Sequence, residues 1–460
     1  MEDTGEQEEF LNLTLAIVAD SEFDQQRKRR KREPSIEPGV RSNEEHCEGK
    51  IFSLLQLREQ MLKLDQKRKG VAEDGKGLHL IHLLLISATF VDESKLGSSI
   101  KSLSELFQNV CLTGDSVQRV AAYFADGLVA RLLTRKSPFY NMIMKEPTAE
   151  EEFSAFTELY KVSPYYQFAH FTANQAIIEA FEKQEEYNNR ALHVIDFDVS
   201  YGFQWPSLIQ SLADKATSSN RISLRITAIG RSLEELQETQ TRLVCFAKGF
   251  RNMVFEFQGL LRGSTNFSKV KRKNNETVAV NLVFHLNTLA NFSETLKSIH
   301  LLNPAIVILV EQEACRNPRS FLAQFMESLH YFAAMFDSLD DCLPLDSEGR
   351  LSIEKNHLGR EIKSFMNYEK DNTNYCIKYE KMKTWKERME GHGFEGVKLS
   401  SKSVMQAKLL LKMRSQYCPV QCDGENGGFR VFERDESTAI SLGWQDRFLL
   451  TASAWYCVCV

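Results

Sequence analysis

The sequence predicts an α/β fold of the Rossmann-like class with a helical part in front of it. After residue 190, strand-like and helix-like segments alternate, which is typical of a parallel sheet with helices on both faces. Residues 78–189 instead carry apolar side chains at helical spacing almost throughout. With 460 residues, of which 43% are hydrophobic, the chain can bury one large core or two joined cores.

In the first part of the chain, both the spacing of apolar residues and the residues at helix ends predict helices. Between residues 117 and 132 apolar side chains follow a 3.6-residue stripe, and Asp115 stands where an N-cap is expected. Another helix is predicted to begin after Ser163. The run LIHLL at 80–84 fits an L-x-x-L-L docking pattern. Its helix is apolar on nearly every side, however, which favours a place in the core.

The α/β part is predicted element by element. Strands are expected at 191–197, 222–228, 252–257, 277–284 and 305–311. Further on, the patterns indicate helices at 380–391 and 403–413, and strands at 397–400, 429–434, 438–443 and 448–456. Because the last three strands follow one another without helices, an antiparallel edge is expected.

The predicted organisation has three parts. Residues 1–45 are expected to form a disordered tail, residues 46–76 an amphipathic helix and linker, and residues 77–460 one large domain. Within this domain, residues 77–189 form a helical cap and residues 190–460 the α/β core. Residues 337–375 are polar and irregular in pattern, and are expected to be an insertion that joins the cap.

The tail carries two unusual segments. Its first 24 residues hold eight acidic side chains and no Lys or Arg, and they enclose the apolar stretch 10–18. Such a segment either folds on a partner or packs on the domain as a helix, and the sequence leaves both open. A basic run follows, for which a nuclear import signal is the favoured function over a nucleic-acid contact or a merely charged tail. The run consists of Arg27, Lys28, Arg29, Arg30, Lys31 and Arg32.

Charge and cysteine usage exclude several classes of protein. The net charge of −5 is small, so no general attraction to nucleic acid is expected. The acidic start lacks a signal-peptide pattern, and the longest apolar run, near 80–90, is too short to cross a bilayer. We therefore expect neither secretion nor membrane binding. The ten cysteines are scattered without a C-x-x-C pair, which indicates reduced thiols rather than a zinc site.

The turn after the first strand decides whether a nucleotide-like cofactor can bind. In a doubly wound sheet ligands lie beyond the carboxyl ends of the strands, and a cofactor turn needs glycines so that bare backbone can approach the ligand. After Asp196, the alternate positions here are Asp198, Ser200 and Gly202, with the bulky Tyr201 and Phe203 interleaved. The sequence therefore predicts a degenerate cofactor loop.

A second requirement also fails, because the second strand should end in an acid that binds a ribose but ends in GRS at 230–232. We expect no cofactor, no catalytic residue and no metal. Asp196 and Asp198 could bind Mg²⁺, but a role in holding the loop through backbone N–H groups is favoured. His193, inside the first strand, is expected to make a structural hydrogen bond.

Several long segments resemble the GRAS family. The run LHVIDFDVSYGFQWPSLIQSL is similar to its VHIID motif, and SPYYQFAHFTANQAIIEAF to the end of its first leucine-rich region. AVNLVFHLNTL and LNPAIVILVEQEA resemble the second leucine-rich region, and LGREI part of the PFYRE block, which TWKERMEGHGFEGVKLS continues. LGWQDRFLLTASAWYC resembles the terminal SAW motif. The VHIID positions are Leu192, His193, Val194, Ile195 and Asp196, and the SAW positions are Trp444, Ser453, Ala454 and Trp455.

The resemblance covers residues 77–460 and implies a function. It implies a plant nuclear co-regulator of transcription with a methyltransferase-like core and a helical cap. Its partners would be other GRAS proteins and DNA-binding factors, zinc-finger proteins among them. Within the family the chain resembles the scarecrow-like branch tied to root symbiosis, of the Required-for-Arbuscule-Development type.

Two other functions stay open from the residues themselves. One is a degenerate methyltransferase-fold protein that retains small-molecule binding. The other is a sequence-specific DNA binder that uses the basic residues at 269–273, although no zinc-finger or basic-zipper pattern supports direct binding.

Overall fold

The computed structural model describes residues 41–62, 76–263, 270, 273, 275–289, 291–314, 320–368, 379–417 and 428–458. The apolar segment 10–18 and the basic run 27–32, both singled out from the sequence, lie outside the described residues. By its internal contacts the chain divides into two compact units. One is Met1–Phe156 with Pro318–Thr373, and the other is Thr157–Asn317 with Asn374–Val460.

The elements of the described residues follow in chain order. The helices are α1 (Arg41–Leu62), α2 (Lys76–Asp92), α3 (Leu96–Asn109), α4 (Ser116–Leu132), α5 (Pro138–Ile143), α6 (Ala149–Val162), α7 (Pro164–Lys183), α8 (Trp205–Ala213), α9 (Leu233–Ala247), α10 (Phe292–Leu302), α11 (Phe321–Asp340), α12 (Glu348–Ile353), α13 (Gly359–Asn367), α14 (Met382–Glu390) and α15 (Ser401–Tyr417). The strands are β1 (Ala191–Asp196), β2 (Ile222–Gly230), β3 (Met253–Leu261), β4 (Thr277–Val283), β5 (Ile306–Gln312), β6 (Phe394–Val397), β7 (Phe429–Arg434), β8 (Ala439–Trp444) and β9 (Arg447–Cys457).

In the first unit, helix α4 is surrounded by other helices. It packs against α2, α3, α11 and α13, and every residue from Arg119 to Ala130 is buried. Asp115 caps it as the sequence predicts, because the Asp115 carboxylate accepts a hydrogen bond from the Gln118 N–H at 2.8 Å. Leu80, Leu83 and Leu84 are buried as well, so the L-x-x-L-L segment belongs to the core.

A cluster of buried charges fixes α4 to the segment between α12 and α13. Arg119 is fully buried and donates from Nε to Oε1 of Glu354 at 2.9 Å, and it also pairs with Asp340. Arg350 Nη1 lies 3.5 Å from the same Glu354 oxygen. Glu354 begins a π-helical turn, Glu354–Leu358. Each buried charge therefore has a partner of opposite sign, which burial requires.

The second unit is built on one mixed sheet. Its strand order is β3-β2-β1-β4-β5-β9-β8-β7, and β6 pairs with the last residues of β9. Strands β1 to β5 are parallel, whereas β9, β8 and β7 run antiparallel to their neighbours. This is the Rossmann-like α/β core predicted from the sequence. Because β2 and β4 lie on opposite sides of β1, the switch in strand order falls at β1, where such sheets bind ligands.

Helix α7 packs on the sheet of this second unit. It contacts β4, β5 and β9 and also α15. The predicted boundary at 189 placed this helix with the cap, whereas its contacts place it in the sheet unit. On the sheet, Trp385, Met389, Phe394 and Trp455 belong to one apolar cluster with the side chains of β4 and β5. This cluster joins α14 and β6 to the centre of the sheet.

Two segments differ from their predicted structure. Residues 337–375 were expected to be irregular, but residues up to 368 form the end of α11, α12, the π-helical turn and α13. Their charged residues obscured the pattern, since Arg350 and Glu354 are buried as partners and do not resemble core positions in the sequence. The strand expected at 397–400 is β6, which ends at Val397.

Candidate functional site

The loop between β1 and α8, residues 197–204, lies at the switch point of the sheet. It follows Asp196, the last residue of β1, and it ends where Trp205 begins α8. Phe197 and Val199 are buried, and the Val199 N–H donates to the Ile229 carbonyl of β2 at 3.0 Å. The loop is thus packed against the sheet edge that would hold a ligand.

Asp196 is buried and accepts three hydrogen bonds. Its Oδ2 accepts from Trp205 Nε1 at 3.0 Å, and its Oδ1 accepts from Asn281 Nδ2 at 3.0 Å and from the Asp198 N–H at 3.3 Å. Burial raises the pKa of this carboxyl to about 7, although the Asn281 amide that donates to it acts in the opposite direction. Both oxygens are therefore directed at protein donors.

A chain of side-chain amides extends this network to α7 and β4. Gln204 and Asn281 exchange two hydrogen bonds, at 3.0 and 3.1 Å. Gln204 Nε2 also donates to Asn174 Oδ1 at 3.1 Å, and Asn174 Nδ2 donates back to the Gln204 carbonyl at 2.9 Å. All three residues are buried. The amide groups thus satisfy one another and fix the end of the loop.

Asp198 lies in the middle of the loop and is held from two sides. Its Oδ2 forms an ion pair with Arg262, the residue after β3. Its Oδ1 accepts from the Ser200 N–H at 3.3 Å. Together with the Asp196 bond to the Asp198 N–H, this gives both aspartates the loop-holding contacts favoured in the sequence analysis.

Gly202 is required by close packing in this loop. Its φ of +69° lies in the left-handed region, and a Cβ built on it would lie 2.6 Å from Thr239 Cγ2 on α9. Ser200 also has a positive φ, of 45°. The one glycine of the loop therefore brings the loop against α9.

Aromatic and basic side chains cover the rest of the loop. The Phe203 ring packs against Tyr160 with centroids 5.1 Å apart, and the Tyr160 hydroxyl donates to the Phe203 carbonyl at 3.4 Å. Arg242 Nη2 donates to the Tyr201 carbonyl at 2.8 Å. Burial raises the pKa of Tyr160 to about 12, so its hydroxyl stays protonated.

β2 ends without an acidic residue, and the Glu235 carboxylate of α9 accepts a hydrogen bond from the Arg231 N–H at 3.1 Å. Gly230 ends the strand, and a Cβ on it would lie 2.7 Å from Leu236 Cγ. Ser232 caps α9 by accepting a hydrogen bond from the Glu235 N–H at 3.1 Å. The GRS segment at 230–232 thus leads from the end of β2 to the N-terminus of α9.

Three polar residues at the ends of β4 and β5 form a second buried group. Glu311 Oε1 accepts from the Leu286 N–H at 2.6 Å and from the Asn287 N–H at 3.2 Å. Within the described chain, Glu311 Oε2, His285 Nδ1 and the Asn287 side-chain amide make no hydrogen bond. Burial raises the pKa of Glu311 to about 8 and lowers that of His285 to about 4. Sequence reasoning missed this group, since Glu311 stands 24 residues from Asn287 in the chain.

The VHIID positions form β1 itself. Leu192, Val194 and Ile195 are buried core residues. His193 is fully buried, and its Nε2 lies 2.8 Å from Thr227 Oγ1 on β2. Burial lowers the pKa of His193 to about 4, which keeps the ring neutral. These contacts are structural.

The SAW positions lie on β8 and β9. Trp444 is mostly buried and packs edge-on against Phe429 with centroids 5.0 Å apart. Trp455 Nε1 donates to Ser453 Oγ at 2.9 Å, and Ala454 is paired with Ile308 on β5. Their described contacts stabilise the antiparallel half of the sheet.

Neither a metal-binding cluster nor a membrane-spanning helix is found among the described residues. There, no three His, Cys, Asp or Glu side chains are arranged to hold a metal ion. Nor is any described helix both long and apolar enough to cross a bilayer.

Comparison with known proteins identifies the family. The model of the GRAS domain family matches residues 80–456. The chain belongs to the GRAS domain family. A crystal structure of SCL7 from Oryza sativa superposes with a TM-score of 0.66 at 29% identity and covers 82% of this chain and 99% of that one. The GRAS match thus spans the helical and the α/β parts alike.

Among curated GRAS relatives, protein SCARECROW of Arabidopsis thaliana is 34% identical over 407 residues. That alignment covers 87% of this chain but 58% of SCARECROW, so the chain spans little more than half of that relative. GRAS family protein RAD1 of Lotus japonicus is 33% identical over 410 residues, which cover 84% of this chain and 76% of RAD1.

Proposed function

We propose that this chain is a plant transcriptional co-regulator that acts in the nucleus through protein–protein contacts and has no enzymatic activity. GRAS membership supports regulation of transcription in plants. The loop after β1 supports the proposed lack of enzymatic activity. Its carboxylates, amides and glycine are all used in packing the protein itself.

The residues of this loop do not fit the adenosyl-methionine that a methyltransferase-like fold would imply. Asp198 presents a carboxylate, paired with Arg262, where a cofactor loop presents bare N–H groups. Gly202 leaves no gap, because it lies against Thr239. At the end of β2, Ser232 caps α9 in place of an acid that would bind a ribose.

The proposed partners are other GRAS proteins and DNA-binding transcription factors, including zinc-finger proteins. Direct sequence-specific DNA binding is not expected, and Lys273, from the basic residues at 269–273, forms an ion pair with Glu256 at 2.8 Å. The similarity to RAD1 supports a place in root symbiosis or root development. The helical unit would act as the cap, and the sheet unit as the core that carries the SAW positions.

A mobility-shift assay across a salt series tests the mode of action. The purified chain is titrated onto a promoter fragment that responds to it in a reporter assay. We expect no specific shift by the chain alone and a supershift when a DNA-binding partner, identified by co-purification from roots, is added. A sequence-specific shift by the chain alone would contradict the proposal.

A specific observation keeps small-molecule binding as the second candidate. The unsatisfied atoms of His285, Asn287 and Glu311 could hydrogen-bond a polar ligand at the carboxyl edge of β4 and β5. Calorimetry with adenosyl-methionine separates the candidates. We expect no binding, whereas a micromolar Kd that Glu311→Gln weakens would favour the second.

A further inference from the structure

Helix α15 presents an apolar and basic face to solvent. Met405, Leu409 and Met413 recur at four-residue spacing and are 61%, 55% and 52% exposed. Every other exposed position between 402 and 413 is a lysine, namely Lys402, Lys408 and Lys412. These six residues are called the α15 face. Exposed apolar side chains are ordinary when scattered, but three in one helical row form a patch.

The opposite side of α15 is used by the fold. Val404 and Ala407 are buried, and the helix packs against α7 and β7. Arg414, outside the face, donates to the Lys161 carbonyl at 2.7 Å. Since the inward side of α15 already provides its packing, the exposed methionines and leucine are not needed to hold the helix in place.

Charge indicates what the α15 face would bind. Ser401–Tyr417 contains four basic residues and no acidic one. Glu433 of β7 lies 3.9 Å from Lys408 at one margin. At about 100° per residue, Met405, Leu409 and Met413 cover an arc of about 80°, and Lys402 falls inside it. The apolar row thus carries positive charge within it as well as beside it.

We propose that the α15 face docks an amphipathic helix of a partner protein whose apolar row is bordered by Asp and Glu. Methionines adapt to varied apolar partners, and lysines would pair with the carboxylates. A membrane surface fits less well, because its apolar contact would have to bury Lys402, and the face lacks the aromatic residues usual in such helices. This docking proposal depends on the proposed function in one respect: it assumes that the chain acts through contacts with other proteins.

Fluorescence anisotropy on the full chain tests this docking. The probe is a labelled peptide of roughly 15 residues with leucines at i, i+3, i+4 and i+7 and Glu at most other positions. We expect binding that weakens as salt rises. The variant Met405→Gln/Leu409→Gln/Met413→Gln should bind at least about tenfold more weakly. Lys402→Glu/Lys412→Glu should also bind more weakly and lose the salt dependence.

Matched controls separate docking from damage to the fold. Leu301→Gln removes another exposed apolar side chain of the same unit, 86% exposed on α10, and should leave binding unchanged. All variants should keep the parent Tm, since the changed residues are exposed. Failure of the parent to bind the peptide, or equal binding by the triple variant, would overturn the proposal.

Vesicles of mixed neutral and anionic lipid test the alternative that the α15 face binds a membrane surface. Vesicle binding that the triple variant abolishes, without peptide binding, would overturn the proposal in favour of a membrane surface. The promoter assay above measures the proposed function itself, so a failure there and a failure of peptide binding can be told apart.

Discussion

Asp198 illustrates at the residue scale how one side chain changes what a loop can bind. A glycine there would leave N–H groups open to a phosphate or carboxylate at the end of β1. The aspartate instead pairs with Arg262 and accepts the Ser200 N–H. Its negative charge would also repel an anionic ligand. The loop therefore acts as a structural connection between the end of β1 and the end of β3.

Gly202→Ala tests the packing of this loop. Positive φ costs roughly 1–2 kcal/mol for a residue with a Cβ, and the overlap with Thr239 should add about 1–3 kcal/mol. Gly263→Ala is the matched control, since Gly263 has a φ of +81° but open space around it. Urea unfolding should show the larger loss of free energy for Gly202→Ala. Adding Thr239→Ser, which removes the clashing methyl, should recover part of it. Equal losses for the two glycines would disprove the packing argument.

The Glu311 carboxyl predicts a pH dependence of stability. Its folded pKa of about 8 lies above the ordinary value of 4.5, because burial favours the neutral form. The carboxyl therefore stabilises the fold fully below about pH 4.5, and this contribution is lost as the pH rises through 8. Glu311→Gln should flatten the decline of stability between about pH 5 and pH 8, by at most about 1.4 kcal/mol per pH unit. An exposed control, Glu234→Gln, should keep the parent profile in thermal melts, and an unchanged slope for Glu311→Gln would count against the assignment.

At the scale of elements, the π-helical turn Glu354–Leu358 depends on α4. Gly359 follows the turn, and a Cβ on it would lie 2.5 Å from the Tyr123 ring. Arg119 reaches both Glu354 and Asp340 from α4. The turn is thus fixed by a close backbone approach and by a buried ion cluster. Short π-helical segments of this kind need such local support.

Arg119→Met should therefore destabilise the protein strongly. Removing one member of a buried ion cluster leaves an unpaired charge and costs about 3–5 kcal/mol. Glu354→Met should have a similar effect, and the double variant should cost less than the sum of the two. Lys95→Ala, which breaks the exposed Lys95–Glu93 pair of the same unit, should change stability by less than about 1 kcal/mol. Additive losses in a denaturant double-mutant cycle would show that Arg119 and Glu354 are not coupled.

For the whole molecule, the import signal is the prediction that concerns location. Replacing residues 27–32 with alanine should move a fluorescent fusion from the nucleus to the cytoplasm, because the dense positive charge read by import receptors is lost. Alanines at 271–273 serve as a control for the loss of basic residues elsewhere, and should leave the fusion nuclear. Continued nuclear accumulation of the 27–32 variant in live-cell imaging would show that another signal suffices.

The sequence predicts the strands of the sheet well, but it does not predict the polar contacts between them. The five parallel strands follow from apolar runs of strand length, and all five lie within a few residues of their predicted positions. The sequence does not predict the contact of Arg262. The predicted β3 ends at residue 257, whereas the observed strand extends to Leu261, and Arg262 therefore lies beside Asp198. The two hydrogen bonds between Gln204 and Asn281 form because β1 and β4 are neighbouring strands. The order of these strands in the chain does not reveal that they pair.

Strand β9 has a consequence for biosynthesis. It pairs with β5 along one side and with β8 and β6 along the other, yet it follows all three in the chain and leaves the ribosome after them. Until residues 447–457 emerge, β5 has an open edge that can pair with other chains. Nascent or prematurely terminated chains are therefore expected to need chaperone protection at that edge, and a stop codon shortly before Arg447 should yield aggregated product.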